Sequence, residues 1–440
     1  MKFGGSSLAD GAQLFRVAEI VKARREALPF VVCSAHKGIT DALVNAAREA
    51  ARGDASADAV VERQSAIARA VGLDLAALEP FFEDLRSVLK GISLVREASP
   101  RVLDFVQSFG ERMSVRTVAH AFRQAGLDAE AFDAFDLGFV TDAEFGRARP
   151  IEGYESRVKA AVRDRVKTGT VPVVTGFVGK TTEGEITTVG RNGSDFSATA
   201  FAAALGADEC QIWTDTDGVM TADPSLCPSA RNIPKMSFAE ASELAQYGGR
   251  VLHPSTLMPA IRENIPVRVL NTHRPDHAGT VITRDGDAEG AESITSVVYK
   301  PGQVAITIQS ATMLGQPGFL AEVFDILGRD GVDIDMVSTS EVSVSLTTSG
   351  RAGLERTLKR LERLGRVSTE TERALLCVVG RQIRSSPGIA ARVFGALERA
   401  GVNVEMISHG ANAINLSMVI RDGAVPEAVR GLHGAFFDGV

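Results

Sequence analysis

The chain has 440 residues, 45% of them hydrophobic and 23% charged, enough for two or three domains with a sizeable core. Its net charge of −7 gives no basic footprint for nucleic acid, and no apolar stretch approaches the roughly 20 residues needed to cross a bilayer. Cys33, Cys210, Cys227 and Cys377 are scattered with no C-x-x-C spacing, and the N-terminus lacks the basic and apolar regions of a signal peptide, so a reduced, cytoplasmic protein is expected.

A first strand ending at Lys2-Phe3 opens into Gly4-Gly5-Ser6-Ser7. Glycines let backbone N–H groups approach phosphate oxygens, and Lys2 would place a point charge beside them, although a Gly-Gly turn also suits a purely structural role. FVVCSA (30–35) reads as a buried strand followed by a glycine turn, and residues 42–125 read as mostly helical, with turns near Gly53 and Gly72. VPVVTGFVG (171–179), CQIWTD (210–215) and residues 265–270 read as further strands. Apolar runs without alternation predict a parallel sheet covered by helices on both faces.

Between these strands, Thr188-Val189-Gly190-Arg191-Asn192-Gly193-Ser194-Asp195 precedes a helical SATAFAAALG, with Ser194 or Asp195 as the expected cap. An arginine among free N–H groups suits a carboxylate or a phosphate. The Asp/Thr-rich turn WTDTDGVMTADP (213–224) would hold a nucleotide's base and ribose, or serve as turn formers alone. The acidic segment 284–293 reads as a linker.

The last third contains a repeat. Residues 316–338 align with 386–408 at a constant offset of 70, and half of the 22 positions from Pro317 to Ser338 are identical. Each copy predicts a strand, a Pro-Gly turn, an amphipathic helix, a glycine and two strands, the plan of a ferredoxin-like unit.

KFGGSS (2–7), SAHKGIT (34–40), SFGERMS (108–114), FGRA (145–148), TTVGRNGSD (187–195), WTDTDGVMTADP, VLHP (251–254) and STSEVSVSLT (338–347) occur together in this order. With them the chain resembles the aspartate kinase branch of the amino acid kinase family over essentially its whole length. The resemblance implies an amino acid kinase fold, a mainly parallel α/β sheet, in residues 1–285. A linker and strand for the second ACT unit follow in 286–300, then ACT domains in 301–372 and 373–440. The implied activity is ATP-dependent phosphorylation of the L-aspartate side-chain carboxylate, with Mg2+ on the nucleotide and no metal ligand expected from protein side chains.

The implied roles fall on matching positions. Lys2, Asp195 and Arg250 would serve catalysis, with Lys2 facing the transferred phosphoryl group. Thr40, Glu111, Arg191 and Ser194 would bind aspartate, Glu111 at its ammonium and Arg191 at its α-carboxylate. Gly4, Gly5, Ser7, Gly190, Gly193, Thr214, Asp215, Met220 and Ser225 would contact the nucleotide. Met220 stands where the family commonly has an aromatic, Ser225 where it has a basic residue and Arg250 where it has a lysine, which implies a weaker grip on ATP. Lysine is the expected inhibitor and threonine the alternative, bound by Met313, Gln316, Gly318, Phe319, Leu320, Asp335, Thr339 and Ser340. A homodimer through the ACT units, with a tetramer as a further possibility, is implied too. The rival expectations are a kinase for another acid, such as glutamate or acetylglutamate, and a non-catalytic amino-acid sensor.

Overall fold

The computed structural model describes residues 1–248, 252, 254–286, 294–313, 317–350, 353–383, 385–410 and 413–438. It divides into two compact units. The first comprises Met1–Val219, Pro234–Phe238 and Val251–Asp287, the second Met220–Ile233, Ala239–Arg250 and Ala288–Val440.

Ten strands belong to the first unit: β1 (Lys2–Phe3), β2 (Val31–Cys33), β3 (Ala129–Phe132), β4 (Val171–Thr175), β5 (Val178–Lys180), β6 (Ile186–Thr188), β7 (Cys210–Thr214), β8 (Lys235–Ser237), β9 (Val267–Asn271) and β10 (Thr280–Thr283). Eight of them form one sheet in the order β3-β4-β2-β1-β7-β9-β10-β8, and β5 pairs with β6 as a separate hairpin. The sheet is parallel apart from the antiparallel β9–β10 pair. β1 spans only two residues yet sits mid-sheet, with Phe3 beside Cys33 and Trp213. Its placement is secured by packing rather than length: Phe3 and Trp213 are fully buried and stack with centroids 5.8 Å apart.

The helical stretch resolves into Ile39–Arg52, Asp58–Ala70, Glu79–Val95 and Pro100–Gln124. Ile39, Leu43, Ala47 and Ala50 recur at helical spacing and are all buried. The 25-residue helix Pro100–Gln124 starts with Ser99 accepting from the Val102 N–H and Pro100 in its first turn, and it runs through the core with Val106, Phe109, Met113 and Phe122 buried.

The second unit contains a six-stranded sheet: β11 (Ser296–Gln309), β12 (Met336–Thr339), β13 (Ser343–Thr348), β14 (Arg366–Val379), β15 (Met406–Ser408) and β16 (Asn415–Arg421), ordered β12-β13-β11-β14-β16-β15. Its two 14-residue strands, β11 and β14, are shared between the repeats. Gln303–Gln309 of β11 lies in the first repeat, and Ser296–Lys300 pairs with Val379–Leu375 to complete the second. The register shifts between Lys300 and Ala305 mark the crossover. Phe319, Val323 and Leu327 of one helix, and Ile389, Val393 and Leu397 of its counterpart 70 residues on, face the two cores. Ala222 and Cys227 pack in the second of these cores, and Thr295 donates to Glu240, which is why parts of 220–250 go with this unit.

Candidate active site

β2 lies on one side of β1 and β7 on the other, so the carboxyl end of β1 is a point where the connections leave in opposite directions, the usual place for a ligand crevice in an open α/β sheet. The loops after β1, β2 and β4 converge there on a cavity of about 460 Å³. Its wall includes Lys2, Gly4, Gly5, Thr40, Glu111, Gly190, Arg191, Gly193, Ser194 and Asp195, residues from four separate stretches of chain.

Lys2 leaves the end of β1, and its ammonium lies 2.6 Å from Asp195 Oδ1, with both side chains about nine-tenths buried. Asp195 sits in the first turn of the helix Gly193–Leu205. That helix is not capped by Ser194 or Asp195 as expected from sequence: Asn192 is the N-cap, in the left-handed region at φ 54° and without a side-chain bond. Asparagine tolerates that conformation, which leaves Ser194 and Asp195 inside the helix and turned to the cavity wall. The close approach needs Gly176: a Cβ there would lie 2.6 Å from Ser194 Cβ.

Glu111 projects from the long helix and is buried. Oε1 accepts from the Ala35 N–H at 3.1 Å, and Oε2 has no hydrogen-bond partner among the described residues. Burial pushes its carboxyl up to about 8, against a smaller lowering by the Ala35 N–H. A buried acid with one open oxygen in a cavity wall is suited to receive an ammonium. Arg191 is exposed and makes no ion pair among the described residues, so its guanidinium is available for a carboxylate.

Other sequence-predicted residues lie outside this wall. Ser7 is buried with its hydroxyl 2.7 Å from that of Thr272, which in turn donates to the Thr214 carbonyl, so Ser7 ties the turn after β1 to the ends of β7 and β9. Thr214 and the exposed Asp215 stand at the carboxyl end of β7, bonded to each other. Met220 and Ser225 belong to the second unit, where Met220 bridges to Asn232, and Ser225 donates through N–H and Oγ to Asp223. Arg250 lies outside the described residues, as does Gln316.

In the second unit, Asp335 Oδ1 is 2.6 Å from the Lys300 ammonium, and Oδ2 is buried without a partner among the described residues. Gly318 caps the helix Phe319–Arg329, Phe319 is buried in the helix–sheet core, and Leu320 is exposed. Met313 packs at that core's edge, Thr339 ends β12, and Ser340 turns back onto Ser343.

Gln107, Phe177 and Asn192 also line the cavity without having been singled out as site residues. Gln107 stands one turn before Glu111 on the same helix, a spacing that would have pointed to it. Phe177 gives no sequence signal for its left-handed backbone at φ 63°. His36, near the motifs but without an assigned role, is buried, with Nδ1 donating to the Leu8 carbonyl at 2.7 Å. Burial lowers its imidazole to about 4, so it stays neutral and fastens the loop after β2 to the turn after β1.

Comparison with known proteins places this architecture. The sequence model of the amino acid kinase family matches residues 1–271, and that of an ACT domain matches 306–363 and 376–436. Aspartokinase 2 of Arabidopsis thaliana, a chloroplastic protein, is 38% identical across the whole chain and 84% of its own length. This chain belongs to the aspartokinases. Lysine-sensitive aspartokinase 3 of Escherichia coli is 35% identical over 99% of this aspartokinase and 98% of its own length. A crystal structure of E. coli aspartokinase III with aspartate and ADP superposes at a TM-score of 0.84, with 33% identity and 99% of both chains covered. The same protein with lysine and aspartate superposes at 0.82. The enzyme is an aspartate kinase, a phosphotransferase with a carboxyl acceptor, built from an amino acid kinase domain and ACT domains.

Proposed function

We propose that the cavity around Lys2, Glu111, Arg191 and Asp195 binds L-aspartate beside the terminal phosphate of ATP and makes 4-phospho-L-aspartate, the entry step towards lysine, threonine and methionine. The convergence of a free arginine with a buried acid that has an open oxygen carries this reading. Aspartate presents two carboxylates and one ammonium. Arg191, with Thr40 and Ser194 beside it, takes the α-carboxylate and Glu111 takes the ammonium, which leaves the side-chain carboxylate free. That group is ionised at neutral pH, so its oxygen attacks the γ-phosphorus without a general base. The new P–O bond forms as the bond to the β-phosphate oxygen breaks, and the electron pair leaves on ADP.

Catalysis then consists of positioning and charge neutralisation. Lys2, held by Asp195, faces the charge that spreads over the phosphoryl oxygens, and the N–H groups around Gly4, Gly5, Gly190 and Gly193 receive phosphate oxygens. Thr214 and Asp215 serve the nucleoside end, with Met220, Ser225 and Arg250 as further nucleotide or catalytic positions. An Mg2+ carried by the ATP phosphates would supply charge neutralisation there.

Feedback inhibition by lysine is proposed on the likeness to the lysine-sensitive E. coli enzyme and on the open Asp335 oxygen, with threonine as the alternative effector. Pairing of ACT units into a dimer, and a cytoplasmic location, are part of the same reading. No helix among the described residues is long and apolar enough to cross a membrane.

The test is hydroxamate trapping of the acyl phosphate formed from aspartate and MgATP, with and without lysine. Lys2→Ala should lose product by about 10² or more in kcat, and Arg191→Ala should raise the aspartate KM strongly. Full activity in Arg191→Ala would refute the carboxylate clamp.

A further inference from the structure

Asp104, a residue none of the site motifs contains, lies 1% exposed on the long helix, seven positions before Glu111. The helix presents polar side chains at 104, 107, 111 and 114, a spacing that puts them on one face. Each meets a different part of the site. Ser114 donates to the Ser34 carbonyl at 2.8 Å, Glu111 accepts from Ala35, and Gln107 lines the cavity. Asp104 reaches the opposite wall: Oδ2 accepts from the Gly146 N–H at 2.9 Å and the Thr188 N–H at 2.8 Å, and Oδ1 accepts from Thr188 Oγ1 at 2.7 Å.

All three donors are neutral. Burial raises the Asp104 pKa, and these hydrogen bonds work against the rise. These three bonds hold both loops to the helix, and because one oxygen takes both N–H groups a side-chain amide could replace the carboxylate where an apolar side chain could not. The tied segments are those that carry the substrate clamp. Gly146, Thr188 and Gly190 line the cavity, and Ala148 N–H donates to the Thr188 carbonyl at 2.9 Å. Gly190 adopts φ 83° with its Cα so near the other loop that a Cβ would lie 3.0 Å from the Gly146 carbonyl oxygen. Arg191 follows directly, without an ion pair among the described residues, so its position is set by this backbone.

We propose that Asp104 is a positioning residue that fixes Arg191 relative to Glu111. Both ends of the substrate are then gauged from one helix: the ammonium by Glu111 directly, the α-carboxylate by Asp104 through Thr188 and Gly146. The proposal rests on the substrate reading given above.

The experiment measures KM for aspartate, KM for ATP, kcat and Tm in Asp104→Ala, Asp104→Asn, Thr188→Val and Arg191→Ala. Misplacement of the clamp by about an ångström should raise the aspartate KM by about 10²-fold in Asp104→Ala and about tenfold in Thr188→Val, with ATP KM moved much less. Asp104→Asn retains one oxygen for both N–H groups and an amide that can donate to the Thr188 hydroxyl, so it should stay within about threefold of the parent. The double variant Asp104→Ala/Thr188→Val should be no worse than Asp104→Ala alone. Equal rises in both KM values, or a fall in Tm with aspartate KM unchanged, would overturn the proposal. Should Asp104→Ala fail to fold, Thr188→Val decides alone: an unchanged aspartate KM at parental Tm overturns it. An unchanged aspartate KM in Arg191→Ala would sink the substrate reading and this proposal together. A raised value there, with Asp104 and Thr188 variants at parental values, would sink this proposal alone.

Discussion

Glu111 is a carboxyl group removed from water, and burial outweighs the N–H groups that meet it, carrying it from 4.5 up to about 8. Near neutrality the empty site therefore holds mostly the protonated acid, whereas an aspartate ammonium needs the anion. Binding should release a proton, and the aspartate KM should fall by up to about tenfold per pH unit from pH 6 towards 8, then level off. Glu111→Gln should flatten that profile and raise the KM throughout. The stability effect has the opposite sense. With the folded pKa above the ordinary one, the stabilisation is fully present below pH 4.5 and is lost as pH rises through about 8. The Tm of the parent should accordingly drop relative to Glu111→Gln across that window, and saturating aspartate should restore it. A parent KM profile that is flat from pH 6 to 8 would show that Glu111 does not meet the ammonium.

The elements around the cavity differ sharply in how visible they are in sequence. β2, β4, β7 and β9 are legible because strands buried on both faces are written almost wholly in apolar residues. β6, β8 and β10 are three or four residues long, carry lysines and threonines, and give no such run, while VPVVTGFVG reads as one strand across the break between β4 and β5. The repeat was legible from identity at a fixed offset, and the shared strands β11 and β14 complete both copies. Among site residues, those in glycine-rich turns announce themselves. Asp104 and Gln107 do not, since a lone polar residue in a helix reads as surface until the partner loops are known. Tight packing between elements is equally silent and can be tested at two glycines. Gly176→Ala would set a Cβ 2.6 Å from Ser194 and push the helix that carries Ser194 and Asp195 off the end of β4. It should cost about 1–3 kcal/mol, read as a lower Tm, with a fall in kcat. Gly91 sits exposed within the helix Glu79–Val95 with open space where a Cβ would go, so Gly91→Ala should stabilise by about 0.5–1 kcal/mol and leave kinetics alone. Equal Tm changes in both variants would contradict the packing account.

At the scale of the whole molecule, the proposed lysine control is a coupling between a site in one compact unit and a site in the other, and its size can be stated before its route is known. Lysine inhibits only to the extent that it binds the less active arrangement more tightly, and linkage makes that coupling reciprocal. If lysine weakens aspartate binding by a factor in the usual range of about 5–150, aspartate must weaken lysine binding by the same factor. On that proposal the amine end of the effector would meet competition at Asp335, because Lys300 already supplies an ammonium to Oδ1 while the buried Oδ2 has no partner among the described residues. An incoming amine can take Oδ2 beside Lys300 or displace it, and Asp335→Asn removes the charge that serves either arrangement. Titration calorimetry of lysine into the enzyme, with and without saturating aspartate and ADP, should give equal coupling factors in both directions. Asp335→Asn should move the lysine midpoint up by about tenfold or more, the weight of one charge-assisted hydrogen bond. Lysine binding of parental strength in that variant would remove Asp335 from the effector site, and threonine heats in place of lysine heats would reassign the effector.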